Sequence, residues 1–394
     1  LPRTLTPLLD LNFADGLYSQ SGTPKSFANV LTFTRASSAT FINRNAKATG
    51  GYDYFVDNAS SNVLRVEYDY QTGENLGALI EGPSTNLMLN SENLSTWTLE
   101  KTNSSTGTVT DNYAKAPDTL TTASRINGTL TDLTGSSRVV VRQGSTAAAG
   151  DATSSFWVKS LAGATNIKFH RNGTDVGSMA ITSEWKRFEY SATASGSSQA
   201  VGVVINGGDA TALNFDILVW GGQYEALPVA TSYIKTEGSA VSRSRDDLSL
   251  SAAGNFTSAE GSTFVNFDFF DNSIANRYAF VIDNNSYDSF LTNVISTATL
   301  RTEIRTGGTT VAAYNAPTAS ALNTKYKSVI AYELGGVKSF IDGVQYGSDT
   351  SAPVFDGMLT IDLGTNRGEV KLNGHISRFT TYDKALTAQE IKLL

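Results

Sequence analysis

The chain contains no cysteine and only two histidines, His170 and His375, so disulfides, thiolate chemistry and a multi-histidine metal centre within one chain are excluded. Catalysis would have to use carboxylates, Tyr, Lys or Ser. Acids at alternate strand positions, in the order E-x-D-x-x-E, would set a nucleophile and an acid/base on either side of one glycosidic bond. The nearest approach is Glu67-x-Asp69, but position 72 is Thr, so this pair is set aside. Binding chemistry has better candidates. The loop after apolar Phe280-Val281-Ile282 carries Asp283, Asn284, Asn285 and Asp288 around Tyr287. Calcium accepts such carboxylate and amide oxygens. Asp and Asn also favour turns for their own conformational reasons, so no cofactor is assigned and calcium stays only an alternative. Gly364-Thr365-Asn366-Arg367 forms a second polar loop. Asp283, Asn285, Tyr287, Asn366 and Arg367 are therefore the candidate ligand residues, for a sugar held with or without an ion. Trp97, flanked by Ser, Thr and Asn, joins them as the tryptophan expected to be exposed; Trp157, Trp185 and Trp220 sit in or beside apolar strands and are expected in the core.

The elements that must carry these residues read as β structure. Gly, Ser, Thr and Asn are abundant, Met is scarce, and apolar residues alternate instead of recurring at helical spacing. Val265, Phe267 and Phe269 should face one way and Asn266 and Asp268 the other, a half-buried strand. Further strand-like runs lie at 155–158, 200–205, 214–219 and 326–332, separated by Gly, Asn, Ser and Asp clusters. Asp342-Gly343 supplies the positive φ of a two-residue hairpin loop after Lys338-Ser339-Phe340-Ile341. Thr387 with Glu390 three residues on has capping-box spacing, which predicts a short terminal helix carrying Ile391 and Leu394 onto a sheet.

These closing residues, with Leu372-Asn373-Gly374-His375-Ile376 before them, resemble the end of a concanavalin A-like or laminin G-like β-sandwich. That fold hosts lectins, adhesins, hydrolases and structural modules alike. Arg301-Thr302-Glu303-Ile304-Arg305 resembles the arginine-glutamate strand of jelly-roll alginate lyases. The Q-[IV]-H and Y-x-K-x-G-x-Y strands of those enzymes are missing, so the run reads as an ordinary strand with alternating exposed charges.

Phe33-Thr34-Arg35-Ala36-Ser37-Ser38-Ala39-Thr40, then Tyr68-Asp69-Tyr70-Gln71-Thr72-Gly73-Glu74, Leu79-Ile80-Glu81-Gly82 and Thr85-Asn86-Leu87 resemble, in the same order, a module near the start of many bacteriophage virion proteins. The stretch from Trp97 through Trp157 and Trp185 to Trp220-Gly221-Gly222-Gln223-Tyr224-Glu225 and Ala230-Thr231-Ser232-Tyr233-Ile234 looks like the carbohydrate-binding-module-like jelly roll that follows it in those proteins. The expectation is all-β: a small N-terminal attachment module (1–90), then two antiparallel sandwiches, a jelly roll (91–246) and a concanavalin A-like domain (247–394), with a short C-terminal helix. Residues 239–247 should be an ion-paired junction.

A net charge of −7 and a pI near 5.0, with no Lys/Arg run, argue against nucleic acid. No apolar run has membrane-spanning length, and the first residues lack a secretion signal, as expected of an intracellular product or a mature fragment whose leader has gone. The phage resemblance implies a virion protein made in the host cytoplasm, contacting other virion proteins, host surface polysaccharide and copies of itself. The expected function is a non-enzymatic fibre, spike or head-attached adhesin; the alternatives are a capsid or tail decoration protein that binds no sugar, and a glycan depolymerase or lyase.

Overall fold

The computed structural model describes residues 5–146, 149–162, 165–196, 198–271, 276–285, 290–296, 299–350, 355, 357–368 and 370–394. Among the described residues it is nearly all β, with two four-residue α-helices, and the chain divides into two compact units. Residues 1–38, 59–82 and 244–394 form the first; residues 39–58 and 83–243 form the second.

In the first unit a ten-stranded and a seven-stranded antiparallel sheet enclose one core. Gly261–Phe269 and Gly374–Tyr382 are central in the larger sheet, and Leu9–Asn12 pairs directly with the latter, Leu11 opposite Phe379. The N-terminal strand is thus a sheet neighbour of the C-terminal one, a relationship the sequence leaves open. Val265, Phe267 and Phe269 point into the core as their alternation predicts, each burial contributing about 1.5–3 kcal/mol. The strand is not half-buried, however. Its other face is covered as well: Phe264 lies under Leu386 and Ile391, and Asp268 is buried against His375. Asp342 (φ 49°) and Gly343 (φ 76°) turn Gly336–Ile341 into Val344–Asp349 as expected. Thr387 and Glu390 form the capping box of the helix Ala388–Ile391.

Arg35 and Glu81, singled out in the N-terminal sequence motifs, do structural work together with Arg65 and Asp246. Arg35 reaches Asp246 at 3.1 Å, and Arg65 reaches Glu81 at 2.7 Å and Asp246 at 2.5 Å, with every side chain at most 1% exposed. Two cations and two anions neutralise one another, which is the condition for burying charge. Residues 239–247 carry ion pairs, as expected, but Asp246 takes buried partners from far along the chain, whereas Arg245–Asp247 is a local, partly exposed pair.

The second unit is a sandwich of two five-stranded antiparallel sheets. One runs Thr98–Lys101, Arg138–Thr146, Ser198–Asn206, Thr165–Arg171, Thr174–Ile181; the other runs Thr106–Ala114, Ala123–Thr129, Asn214–Glu225, Ala149–Ser160, Lys186–Ser195. Trp157, Trp185 and Trp220 are buried, as expected. Asn86 bolts three segments together, donating to Gly222 and Ile234 carbonyls and accepting from the Met88 and Tyr224 amides. Glu225 accepts from Ser84, Thr231 and Gln223 in a fully buried cluster. Such buried carboxylates are tolerated because every oxygen finds a donor.

Candidate functional site

The first unit brings the two predicted polar loops together. Asp283 ends the strand Arg277–Asp283 and is 1% exposed. Its Oδ2 accepts from Arg367 Nε at 2.8 Å, and its Oδ1 accepts from the Asn285 amide at 3.0 Å and Thr360 Oγ1 at 3.1 Å. Asp362 accepts from the Arg367 amide at 2.9 Å, which helps hold Arg367 in the left-handed region at φ 49°. Asn366 lies beside it in a two-residue strand and is largely buried. Asp283 is thus a post that fixes the loops, its charge met by a guanidinium. What the cluster presents outward is the exposed Asn285 and the partly exposed Arg367. Tyr287 and Asp288 lie outside the described residues. Among the described residues no group of three or more His, Asp or Glu is arranged to hold a metal ion.

Trp97 is a correction. It is 5% exposed, packs edge-on to Phe156 at 6.0 Å between ring centroids, and donates its Nε1 to the Asn90 carbonyl at 2.8 Å. Its polar sequence neighbours face solvent while the indole closes the core of the second unit. Glu67 and Asp69 also prove unrelated: Glu67 meets His375 Nε2 at 2.9 Å, whereas Asp69 caps its own turn through the Gln71 and Thr72 amides. Arg301 to Arg305 is an alternating strand, as read, with Thr302 and Ile304 buried.

The second unit carries a groove that the sequence reading missed. A cavity of about 590 Å³ opens over the ends of Thr106–Ala114, Ala123–Thr129 and Asn214–Glu225. Strand register aligns its polar residues in rows: Thr106, Thr129 and Asn214 in one, Thr108, Asn127 and Asp216 in the next. Thr108 donates to Asn127 Oδ1 at 2.7 Å and Thr129 to Asn214 Oδ1 at 2.9 Å. With both amide oxygens engaged, the two Nδ2 groups remain as donors. Arg125 grips Asp216 with both arms, at 2.7 and 2.6 Å, and stacks 4.7 Å over the ring of Tyr113, itself 46% exposed. Fixed, planar, paired polar groups beside an aromatic are what recognition of a polyhydroxylated ligand requires, since each sugar hydroxyl both donates and accepts. The available signal was the alternation Thr106-x-Thr108-x-Thr110 against Asn127-x-Thr129.

Comparison with known proteins places the C-terminal part. Residues 230–392 match the family described as the concanavalin A-like lectin/glucanases superfamily, in its laminin G-like branch. The chain therefore carries a concanavalin A-like, laminin G-like domain over those residues. No curated protein matches the chain. Among solved structures, it is similar to the Ruminococcus gnavus IT-sialidase CBM40 bound to alpha2,3 sialyllactose: 16% identity, 36% of this chain and 85% of that one, TM-score 0.32. It is also similar to domain 4 of an extracellular arabinanase from Geobacillus stearothermophilus with arabinotriose: 16% identity, 42% and 80%, TM-score 0.32. A heptameric SAP-like pentraxin from Limulus polyphemus is similar at 13% identity, over 34% and 69%, with TM-score 0.28.

Proposed function

We propose that this chain is a non-catalytic glycan-binding protein of a bacteriophage particle, a fibre, spike or head-attached adhesin that engages host surface polysaccharide. The groove of the second unit is the observation that carries the binding half: rows of hydroxyl and amide groups, held by strand register, with the Arg125–Asp216 pair in its lining and Tyr113 stacked against Arg125. The lectin-like family match over 230–392 supports the same ligand class. Asn285 and Arg367 of the first unit are a second candidate contact. The virion half is supported by the order of the Phe33–Thr40, Tyr68–Glu74 and Leu79–Leu87 motifs. Single sugars bind weakly, so copies of the chain acting together would supply the avidity.

One observation favours the decoration reading instead. The motif residues Arg35, Glu81, Asn86 and Glu225 are all buried and engaged with protein groups, which is what a scaffold needs and a receptor site does not. The test is adsorption of fluorescent protein to a panel of bacteria, before and after mild periodate oxidation of surface sugars. Binding that periodate abolishes, and that the double variant Asn127→Ala, Asn214→Ala lacks, supports the adhesin. Failure to bind any strain, an infected host included, overturns it in favour of decoration.

A further inference from the structure

A second cavity, of about 390 Å³, lies in the other sheet of the second unit, lined by Glu100, Arg138, Arg142, His170, Asn172 and small residues. Register builds it. Arg142 stands opposite Gly202, Gly202 opposite His170, and His170 opposite Asp175, so one row reads Arg, Gly, His, Asp across four strands. Gly202 leaves the middle of the row without a side chain, and a Cβ there would fall 2.1 Å from the Val141 carbonyl. In the next row Gly144 faces Ala200, again small. The result is a trough between Arg142 and His170, whose strands stand about 10 Å apart.

The polar walls are asymmetric in favour of donors. His170 is 2% exposed, and its Nδ1 is 3.0 Å from Asp175 Oδ1. Asp175 also receives Arg138 Nη2 at 3.4 Å and Asn206 Nδ2 at 3.4 Å. Burial alone would raise its carboxyl, but His170, Arg138 and Asn206 outweigh that and hold it below the usual range. In the tautomer whose Nδ1–H donates to Asp175 Oδ1, Nε2 is left as the ring's acceptor. Arg138 Nε is buried with no hydrogen-bond partner, an arrangement that natural structures rarely leave without a ligand or water. Arg142 places both Nε and Nη2 on a single oxygen of Glu100, a side-on contact with a 38% exposed residue. A guanidinium held this way can exchange Glu100 for a carboxylate that meets its fork with two oxygens.

We propose that this trough binds a carboxylate-bearing saccharide, a uronic acid unit, with Arg142 and Arg138 on its carboxylate and His170 accepting from a ring hydroxyl. The saccharide part rests on the glycan-binding reading above; the anion part rests on the geometry alone. The test uses the intact chain. With only two histidines, imidazole ¹H–¹⁵N spectra carry two sets of signals, and His375, closed between Asp268 and Glu67 in the first unit, is the internal control. Methyl glycosides of glucuronic and galacturonic acid, the matching neutral methyl glycosides and sodium acetate are titrated separately. The expected result is saturable movement of the His170 signals by a uronide, little movement by the neutral glycosides or acetate, and none at His375. Arg142→Gln should weaken the uronide by roughly tenfold, and Arg142→Lys less, the fork being lost but the charge kept. Equal response to neutral glycosides, equal response to acetate, no response to either uronide, or an unchanged affinity in a folded Arg142→Gln protein each overturns the proposal. Because the Asn127, Asn214 groove variant leaves these residues intact, failure of cell adsorption and failure of uronide binding are read separately.

Discussion

The guanidinium of Arg65 meets the carboxylate of Glu81 at 2.7 Å with neither side chain more than 1% exposed, and the same guanidinium also holds Asp246. Burial alone would lower the Arg65 pKa, but Asp246 and Glu81 outweigh it and raise it, so the guanidinium stays charged. Arg65→Met would take one of the two guanidinium groups from the buried acids Glu81 and Asp246. It should cost about 3–5 kcal/mol, whereas Arg245→Ala at the exposed Arg245–Asp247 pair should cost about 0–1 kcal/mol. Urea denaturation followed by tryptophan-independent far-ultraviolet circular dichroism measures both. A loss below 1 kcal/mol in the Met variant would remove the cluster from the list of what holds the first unit together.

His375 gives the fold a pH dependence of definite sign. Burial alone would lower its pKa, but Asp268 at 2.7 Å and Glu67 at 2.9 Å outweigh it and hold the imidazolium up to about 10, against an ordinary 6.5. A group whose folded pKa is raised stabilises fully below its unfolded pKa. That contribution is therefore complete below about pH 6.5 and lost as pH rises through about 10. The thermal midpoint of the native protein should fall across this window more steeply than that of His375→Gln. Parallel curves for the two proteins would show that no charged histidine is present.

The hairpin and terminal helix offer smaller, local tests. Gly343 at φ 76° sits where a Cβ is strained, so Gly343→Val should cost about 1–2 kcal/mol. Thr387→Ala removes the side chain that accepts the Glu390 amide and should cost about 1 kcal/mol. Amide exchange of Glu390 and Ile391 should quicken in the Thr387 variant while Gly261–Phe269 stays protected. Unaltered exchange at the helix would mean that Leu386 and Ile391 packing alone holds it.

What the sequence revealed was local chemistry. Asp342-Gly343, Thr387 with Glu390, and the apolar strands around Trp157 and Trp220 announce themselves because turn, cap and alternation act within a few residues. Burial set by distant partners was not legible. Trp97 has polar neighbours, yet Phe156, far along the chain, covers it. Asp268 reads as an outward-facing strand residue until His375 and Glu67 close over it. The two loops of Asp283 and Arg367 were singled out separately, and only their salt bridge shows that they meet. The groove was invisible for a different reason: threonines at alternate positions are ordinary in strands, and only register turns Thr108, Asn127 and Asp216 into one row.

That row also makes the number of chains acting together measurable. Asn127 has its Oδ1 held by Thr108, so its free donor is Nδ2, and Asn127→Ala should remove a single hydrogen bond to a sugar. One such bond is worth about 0.5–1.5 kcal/mol net, so affinity of an isolated chain for a short oligosaccharide should fall roughly 2- to 12-fold. If linked copies engage a cell surface together, they compound that factor, because each engaged chain loses it once. Calorimetry with soluble oligosaccharide should therefore show a modest loss and adsorption to cells a much larger one. Equal losses in the two assays would mean that chains bind singly. No loss in either would take Asn127, and the groove with it, out of recognition.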